Sequence, residues 1–183
     1  MADAHDSLLV AEAPGISIAL DRRLHVASLR YFAGDGQFAE RVQATLCMPL
    51  PEPLCAARSV LEGVESVMAW RSPTEALLLC ADATLLKKLE AEVAPLPDGC
   101  LIVQTGGIRV LRASGARVAD LFARLGGQGV LPHPGGASRS RLAEIAVLAI
   151  QVQSGETLLA VERVYAEHLM DWMRVSAADL AVA

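Results

Sequence analysis

Aromatic residues are scarce in this chain, with three Phe, two Trp and two Tyr among 183 residues. So few rings supply no stacking platform for a single-stranded nucleic acid. Charge is scarce too, at 20% Asp, Glu, Lys and Arg. The sixteen basic residues never form a run: Arg22-Arg23 and Lys87-Lys88 are isolated pairs, too small to track a phosphate backbone, and the net charge is −5. DNA and RNA are therefore poor partners on electrostatic grounds. No apolar run approaches the ~20 residues needed to span a bilayer; the longest, Ile145–Ile150, has strand length. The N-terminus, Met1-Ala-Asp-Ala-His-Asp6, has no basic stretch followed by an apolar one, so it does not read as a signal peptide. A cytoplasmic location without membrane attachment is expected. Four cysteines, Cys47, Cys55, Cys80 and Cys100, show no C-x-x-C spacing and no neighbouring histidine, which argues against a zinc knuckle. Buried, reduced thiols are expected instead.

Apolar residues make up 53% of the chain, enough for a sizeable core. Chains of this length bury roughly 70% of the surface they expose when unfolded. A surface short of charge also fits cover by a partner, as it fits an Ala-rich composition.

The pattern along the chain divides in two. Residues 1–14 read as a flexible tail ending at Pro14-Gly15. Leu24–Tyr31 is strand-like, and Gly34-Asp-Gly36 breaks it. Phe38, Val42 and Leu46 then share one helical face, closed by Pro49-Leu-Pro-Glu-Pro53. Val67–Trp70 and Glu75–Cys80 flank the turn signal Arg71-Ser-Pro-Thr74 and predict a hairpin. Asp82 is placed to cap a helix carrying Leu85, Leu86, Leu89 and Val93, before the strand-like Cys100–Val103. From Ile108 the rhythm returns. An alternating strand over 108–112 precedes Ser114, read as a cap, and a helix with Val118, Leu121, Phe122 and Leu125. Two apolar strands around Ser154-Gly155 follow, then a last helix with Tyr165, His168, Leu169 and Trp172 on one face. Gly106-Gly107 reads as a tight hairpin turn. Each half thus runs strand, helix, hairpin, helix, the core of a split β-α-β unit. The expected fold is α+β, with two ferredoxin-like lobes over residues 15–97 and 98–183 that together can count as one compact domain.

No constellation reads as an active site. His5, His25, His133 and His168 have no metal-ligand spacing. Ala113-Ser-Gly115 lacks the first glycine of a nucleophile elbow. Gly34-Asp-Gly36 lies between strand and helix, where a phosphate cradle belongs, but has neither the Lys-Ser/Thr nor the G-x-G-x-x-G pattern. Gly126–Gly129 follows a helix, the wrong end for an anion. Glu144, Glu156, Glu162 and Asp171 show no acid/base pairing. No catalytic and no metal-binding residue is assigned. Two groups remain. Arg139 and Arg141, in Ser138-Arg-Ser-Arg141, share one side of an extended segment; they read as a solvated strand edge or as a site for a carboxylate or an acidic partner. Tyr165, His168 and Trp172, with Arg141, are the candidates for a partner interface.

The order of these stretches resembles the gamma subunit family of heterotetrameric sarcosine oxidase over nearly the whole chain. The likeness is carried by Val26-Ala-Ser-Leu-Arg-Tyr-Phe32, Leu50-Pro-Glu-Pro53, the W-x-x-P-x-E-x-L-L-L element at 70–79, Arg112-Ala-Ser-Gly-Ala-Arg117, Arg141-Leu-Ala143 and Ala166-Glu-His-Leu-Met-Asp-Trp-Met173. The sequence departs from the family at Val103-Gln-Thr-Gly-Gly-Ile108, in place of a D-x-S-H-like segment, and at Gly126-Gly-Gln-Gly-Val-Leu131, in place of G-C-x-x-D-L. The resemblance implies a fold like the folate-binding domains of glycine-cleavage aminomethyltransferases. It implies a non-catalytic chain without a cofactor, packed on a large alpha subunit. FAD, FMN, NAD, zinc and tetrahydrofolate would then belong to the other subunits, which demethylate sarcosine oxidatively and pass the one-carbon unit to tetrahydrofolate. A stand-alone folate-binding protein is the alternative expectation, with Arg139 or Arg141 receiving the glutamate tail. A homo-oligomer formed through the last helix is a third.

Overall fold

A computed structural model of the chain describes residues 7–126 and 129–182. In chain order the elements are β1 (Ser7–Ala13), β2 (Ile16–Asp21), β3 (His25–Tyr31), α1 (Gln37–Leu46), β4 (Ala56–Leu61), β5 (Val64–Ser72), β6 (Glu75–Cys80), α2 (Ala83–Val93), β7 (Gly99–Val103), β8 (Ile108–Ser114), α3 (Val118–Gly126), β9 (Gly136–Leu142), β10 (Ile145–Gln153), β11 (Glu156–Glu162) and α4 (Arg163–Val182). They form two compact units, one of Arg23–Thr105 and one of the described residues on either side of it.

The Arg23–Thr105 unit holds an antiparallel sheet in the order β4-β5-β6-β3-β7. Without β4 this is the ferredoxin-like arrangement: a strand and helix, a hairpin and helix, and a last strand beside the first. The apolar face of α1 (Phe38, Val42, Leu46) and that of α2 (Leu86, Leu89, Val93) pack with Ala27, Leu29, Met68 and Leu78. Asp82 caps α2 as its position predicts, accepting from the Thr84 N–H at 2.6 Å. Ala76–Cys80 are buried without alternation, so both faces of β6 are covered. This is why that segment reads as a continuous apolar run.

The second unit repeats the plan with a permutation. Its sheet runs β1-β2-β8-β11-β10-β9, antiparallel wherever strands pair. Here β8, α3, the β10–β11 hairpin and α4 stand where β3, α1, the β5–β6 hairpin and α2 stand in the first. The place beside β8 is filled by β2, from the other end of the chain. Its core gathers Ile18, Leu111, Leu121, Phe122, Leu159, Leu169 and Met173.

The α+β class and the doubled plan are as the sequence indicates, but five details differ. Residues 7–13 are not tail: they form β1, with a bulge between Leu9 and Ala11, and Arg174 Nε donates to the Val10 carbonyl at 3.1 Å. Residues 1–6 of the expected tail lie outside the described residues. The lobe bounds of 15–97 and 98–183 give way to units parted at Arg22/Arg23 and Thr105/Gly106, because β2 closes the sheet of β8 and β7 that of β3. Gly106-Gly107 is no hairpin turn, since β7 and β8 belong to different sheets. Ser114 is not a helix cap: it ends β8, paired with Ser17 and Glu156. The chain passes Gly115, at φ +122°, before α3 begins; a Cβ there would lie 2.2 Å from the Gly15 carbonyl oxygen, so only glycine fits. Two further strands, β2 and β4, stand where the sequence pattern places no element, while the extended Ser138–Arg141 segment is the middle of β9, as read.

Candidate functional site

The helix-forming glycine loop was the one place suited to a phosphate. In the fold that place is filled from within. Asp98 accepts from the Phe38 N–H with both carboxylate oxygens, at 3.0 and 3.2 Å. A Cβ on Gly36 would lie 2.2 Å from Asp98 Oδ2, so the glycine admits this carboxylate. An internal anion thus occupies the N-terminus of α1.

A polar cluster with little local signal lies in the other unit. Arg112 Nε and Nη2 both donate to Asp21 Oδ2, at 3.3 and 3.2 Å, and Nη1 donates to Glu156. Asp21 is only 5% exposed. The three come from adjacent strands β2, β8 and β11. Their signal was one arginine inside an alternating strand. One guanidinium between two carboxylates commits both to ion pairing, which suits a structural role more than proton transfer.

Of the predicted interface residues, Tyr165, His168 and Trp172 lie on α4 and Arg141 on β9. Ala166, Leu169, Met170, Met173, Ser176 and Ala177 are the buried face of α4. Of the four residues expected to share one face, only Leu169 is inside. Tyr165 and Trp172 are 52% and 47% exposed, and His168 is exposed with them. Trp172 Nε1 donates to His168 Nε2 at 3.3 Å, and the two rings meet edge to face with centroids 6.5 Å apart. Steps of three and four residues carry the exposed stripe onward through Val175.

The stripe ends at a groove of about 340 Å³ lined by Leu125, Ala143, Glu144, Trp172, Val175 and the ion pair Arg124–Asp179. Its rim is the β9–β10 turn, where Ala143 and Glu144 take positive φ values of 47° and 64°. The matching turn between β4 and β5 uses Glu62-Gly63. The strained turn is held by α3, whose Leu125 carbonyl accepts from the Ala143 N–H at 2.8 Å. Arg141 reaches this rim, with Nη1 donating to the Glu144 carbonyl at 3.3 Å and lying 3.7 Å from its carboxylate. Glu144, which holds Arg141, thus lines the same groove as Trp172. Arg139 is exposed two residues away on β9, on the same side of the strand as Arg141.

A second groove, of about 460 Å³ and mainly apolar, lies in the Arg23–Thr105 unit against Tyr31, Phe32, Thr74, Pro97 and Cys100. Burial, and then the charge of Glu75, raise the pKa of Tyr31 above its ordinary value of 10. Glu75 itself sits 3.0 Å from Arg71 and 3.9 Å from Arg30, which gives the W-x-x-P-x-E stretch a structural use.

The other expected residues are dispersed. His25 lies in β3, His133 is in an exposed loop, and His5 is outside the described residues. Among the described residues no three of His, Cys, Asp and Glu gather as metal ligands. The cysteines correct the expectation of buried thiols: Cys80 is buried, Cys55 half-buried, and Cys47 and Cys100 are exposed. No described helix is long and apolar enough to cross a membrane.

No protein-family model matches the sequence, and no curated protein does. Solved structures do match. A chain of the heterotetrameric sarcosine oxidase from Corynebacterium sp. U-96, determined with pyrrole 2-carboxylate, superposes with a TM-score of 0.79 at 18% identity. The match covers 96% of this chain and 90% of that one. The fold is that of a sarcosine oxidase chain. It is shared also by the glycine cleavage system aminomethyltransferase T of Bartonella henselae, at a TM-score of 0.69 and 11% identity over 88% of this chain. This chain spans 46% of that transferase.

Proposed function

We propose that the chain is a non-catalytic, gamma-like subunit of a sarcosine-oxidase-type flavoenzyme. The observation that carries the reading is the near end-to-end match to a chain of a heterotetrameric sarcosine oxidase, which covers almost the whole of both partners. In this reading the protein is cytoplasmic and has no cofactor of its own. FAD, FMN, NAD and tetrahydrofolate sit in the other subunits, which oxidise sarcosine and hand its one-carbon unit to tetrahydrofolate. The α4 stripe, with Tyr165, His168 and Trp172, and the rim held by Arg141 form the contact with the large subunit. Exposed aromatics beside a charged rim are the composition of an interface anchor.

Co-expression with the flavoprotein subunits of the same source tests this. The chain should co-elute with them on size-exclusion chromatography, and Tyr165→Ala with Trp172→Ala should weaken the complex at least about tenfold, as the loss of anchors does. A chain that elutes alone beside intact flavoprotein subunits defeats the proposal.

The likeness to aminomethyltransferase T favours one second reading, a stand-alone folate-binding protein with Arg139 and Arg141 at the glutamate tail. Calorimetry of the isolated chain with tetrahydrofolate separates the two. The subunit reading expects no heat of binding.

A further inference from the structure

We infer that the free edge of β7 pairs antiparallel with β7 of a second copy, joining two five-stranded sheets into one. This goes beyond the subunit reading and does not rest on it.

Each sheet has two edge strands, and three of the four carry devices against pairing. On β9 these are Arg139 and Arg141, both exposed. On β4 it is Arg58, exposed and paired with Glu65. On β1 they are the bulge, Glu12 and the Arg174 guanidinium on the Val10 carbonyl. Charges and bulges of this kind are how proteins blunt a sheet edge. The fourth edge, Gly99-Cys-Leu-Ile-Val103, has no charge, no proline and no bulge, and its register with β3 is continuous. It exposes Cys100, 39% of Ile102 and 48% of Val103.

Its geometry is self-complementary. Phe32 N–H donates to the Asp98 carbonyl and Gln104 N–H to the Val26 carbonyl, at 3.1 and 2.7 Å. The register therefore turns the main-chain groups of Asp98, Cys100, Ile102 and Gln104 toward β3. Those of Gly99, Leu101 and Val103 point to the open edge. A two-fold axis at Leu101 pairs Leu101 with Leu101 of the copy and Gly99 with Val103 in both directions. Each of these three pairs exchanges two hydrogen bonds, so every group on the edge finds a partner. Cys100 then faces Ile102 of the copy in the close, non-hydrogen-bonded position, and no like charges meet. The same operation on β9 would set arginines against arginines.

Light scattering on the full chain under reducing conditions, over a range of concentrations, tests the pairing. The wild type should reach the mass of a dimer. Ile102→Lys brings a charge to the edge. Val103→Pro removes an N–H that points away from β3, so the internal ladder keeps its bonds. Each should raise the dissociation constant at least about tenfold with an unchanged circular dichroism spectrum, whereas Trp172→Ala should leave the dimer intact. Should either edge variant fail to fold, Ile102→Cys carries the test. Opposed strands in the close position bring Cα atoms within disulfide range, so mild oxidation should give a covalent dimer, and adding Cys100→Ser should abolish it. A wild type that stays monomeric, a dimer that survives in a folded edge variant, a dimer dissolved by Trp172→Ala, or an Ile102→Cys variant that does not cross-link would each overturn the inference.

Discussion

Asp98, just before β7, holds the first turn of α1 by accepting the Phe38 N–H, across 60 residues of sequence. The contact is a helix cap supplied from another element, and it ties the end strand of the sheet to the helix that covers it. Capping contacts of this kind contribute about 1 kcal/mol and up to about 2. Asp98→Ala should therefore lower the unfolding free energy by about 1–2 kcal/mol. Asp98→Asn, which keeps one acceptor oxygen, should cost less than half of that. Urea denaturation of the two variants checks the order; equal losses would mean that the carboxylate acts by charge alone.

Tyr31 provides a pH dependence with a definite sign. Its ring stacks on Phe38 with centroids 6.5 Å apart, and burial followed by the Glu75 charge raises its pKa above 10. The folded state thus holds the phenol proton to higher pH than the unfolded chain does. Above pH 10 the unfolded state binds fewer protons, so stability falls as pH rises. The contribution is complete below pH 10 and is lost as pH climbs through the raised value. Tyr31→Phe keeps the ring stack and should flatten the alkaline part of the stability curve. Thermal melts from pH 8 to 11 measure this, and an unchanged slope in the variant would count against the assignment.

What could be read in advance followed the strength of each local signal. Phe38, Val42 and Leu46 at helical spacing, Asp82 before Leu86 and Leu89, and the Pro73 turn between two apolar runs each carry their own periodicity or turn chemistry, and each element stands where the pattern put it. The permuted unit could not be read this way. Nothing local in Ile16–Asp21 says that it completes a sheet with β8, nearly a hundred residues on. The α4 face shows a second limit. Tyr165, His168, Leu169 and Trp172 fit one arc of the helix, yet the buried seam is shifted to Ala166, Leu169, Met170 and Met173. Small and flexible side chains let the helix lie close to the sheet, while the large rings stay outside. Spacing alone joins Leu169 to these rings on one arc, and only packing separates the buried leucine from the exposed stripe. The ion triad was hidden for a related reason, since Asp21, Arg112 and Glu156 are brought together only by strand register.

The β9–β10 turn offers a gain in stability. Ala143 and Glu144 both sit at positive φ, a conformation that costs a residue with a Cβ about 1 kcal/mol. Glycine at the second position, as in the Glu62-Gly63 turn, removes that cost. Glu144→Gly should stabilise the chain by about 0.5–1 kcal/mol, after part of the gain is offset by the freer unfolded backbone. For a chain of this size that is a rise in Tm of about 1–4 °C. The same change removes the carboxylate that holds Arg141, so under the subunit reading it should weaken the complex while stabilising the free chain. A parallel fall in both would show that the turn is not strained.

Arg112 carries the sharpest test of the buried triad. Its Nε and Nη2 converge on one oxygen of Asp21 while Nη1 turns to Glu156, a division that only a planar fork can make. A lysine brings the same charge as a single point and can serve one carboxylate well, leaving the other poorly met in a largely buried place. Arg112→Lys should therefore be costly although charge is conserved, and Arg112→Met more so, at about 3 kcal/mol, the range for breaking a buried pair. Exposed Arg124, paired with Asp179, is the internal control: Arg124→Met should cost under about 1 kcal/mol and lose that effect in salt. Chemical denaturation at low and high sodium chloride distinguishes the two sites, because the Arg112 penalty should persist where the Arg124 penalty is screened. Equal stability of Arg112→Lys and the wild type would mean that charge, and not the geometry of the fork, holds the three strands together.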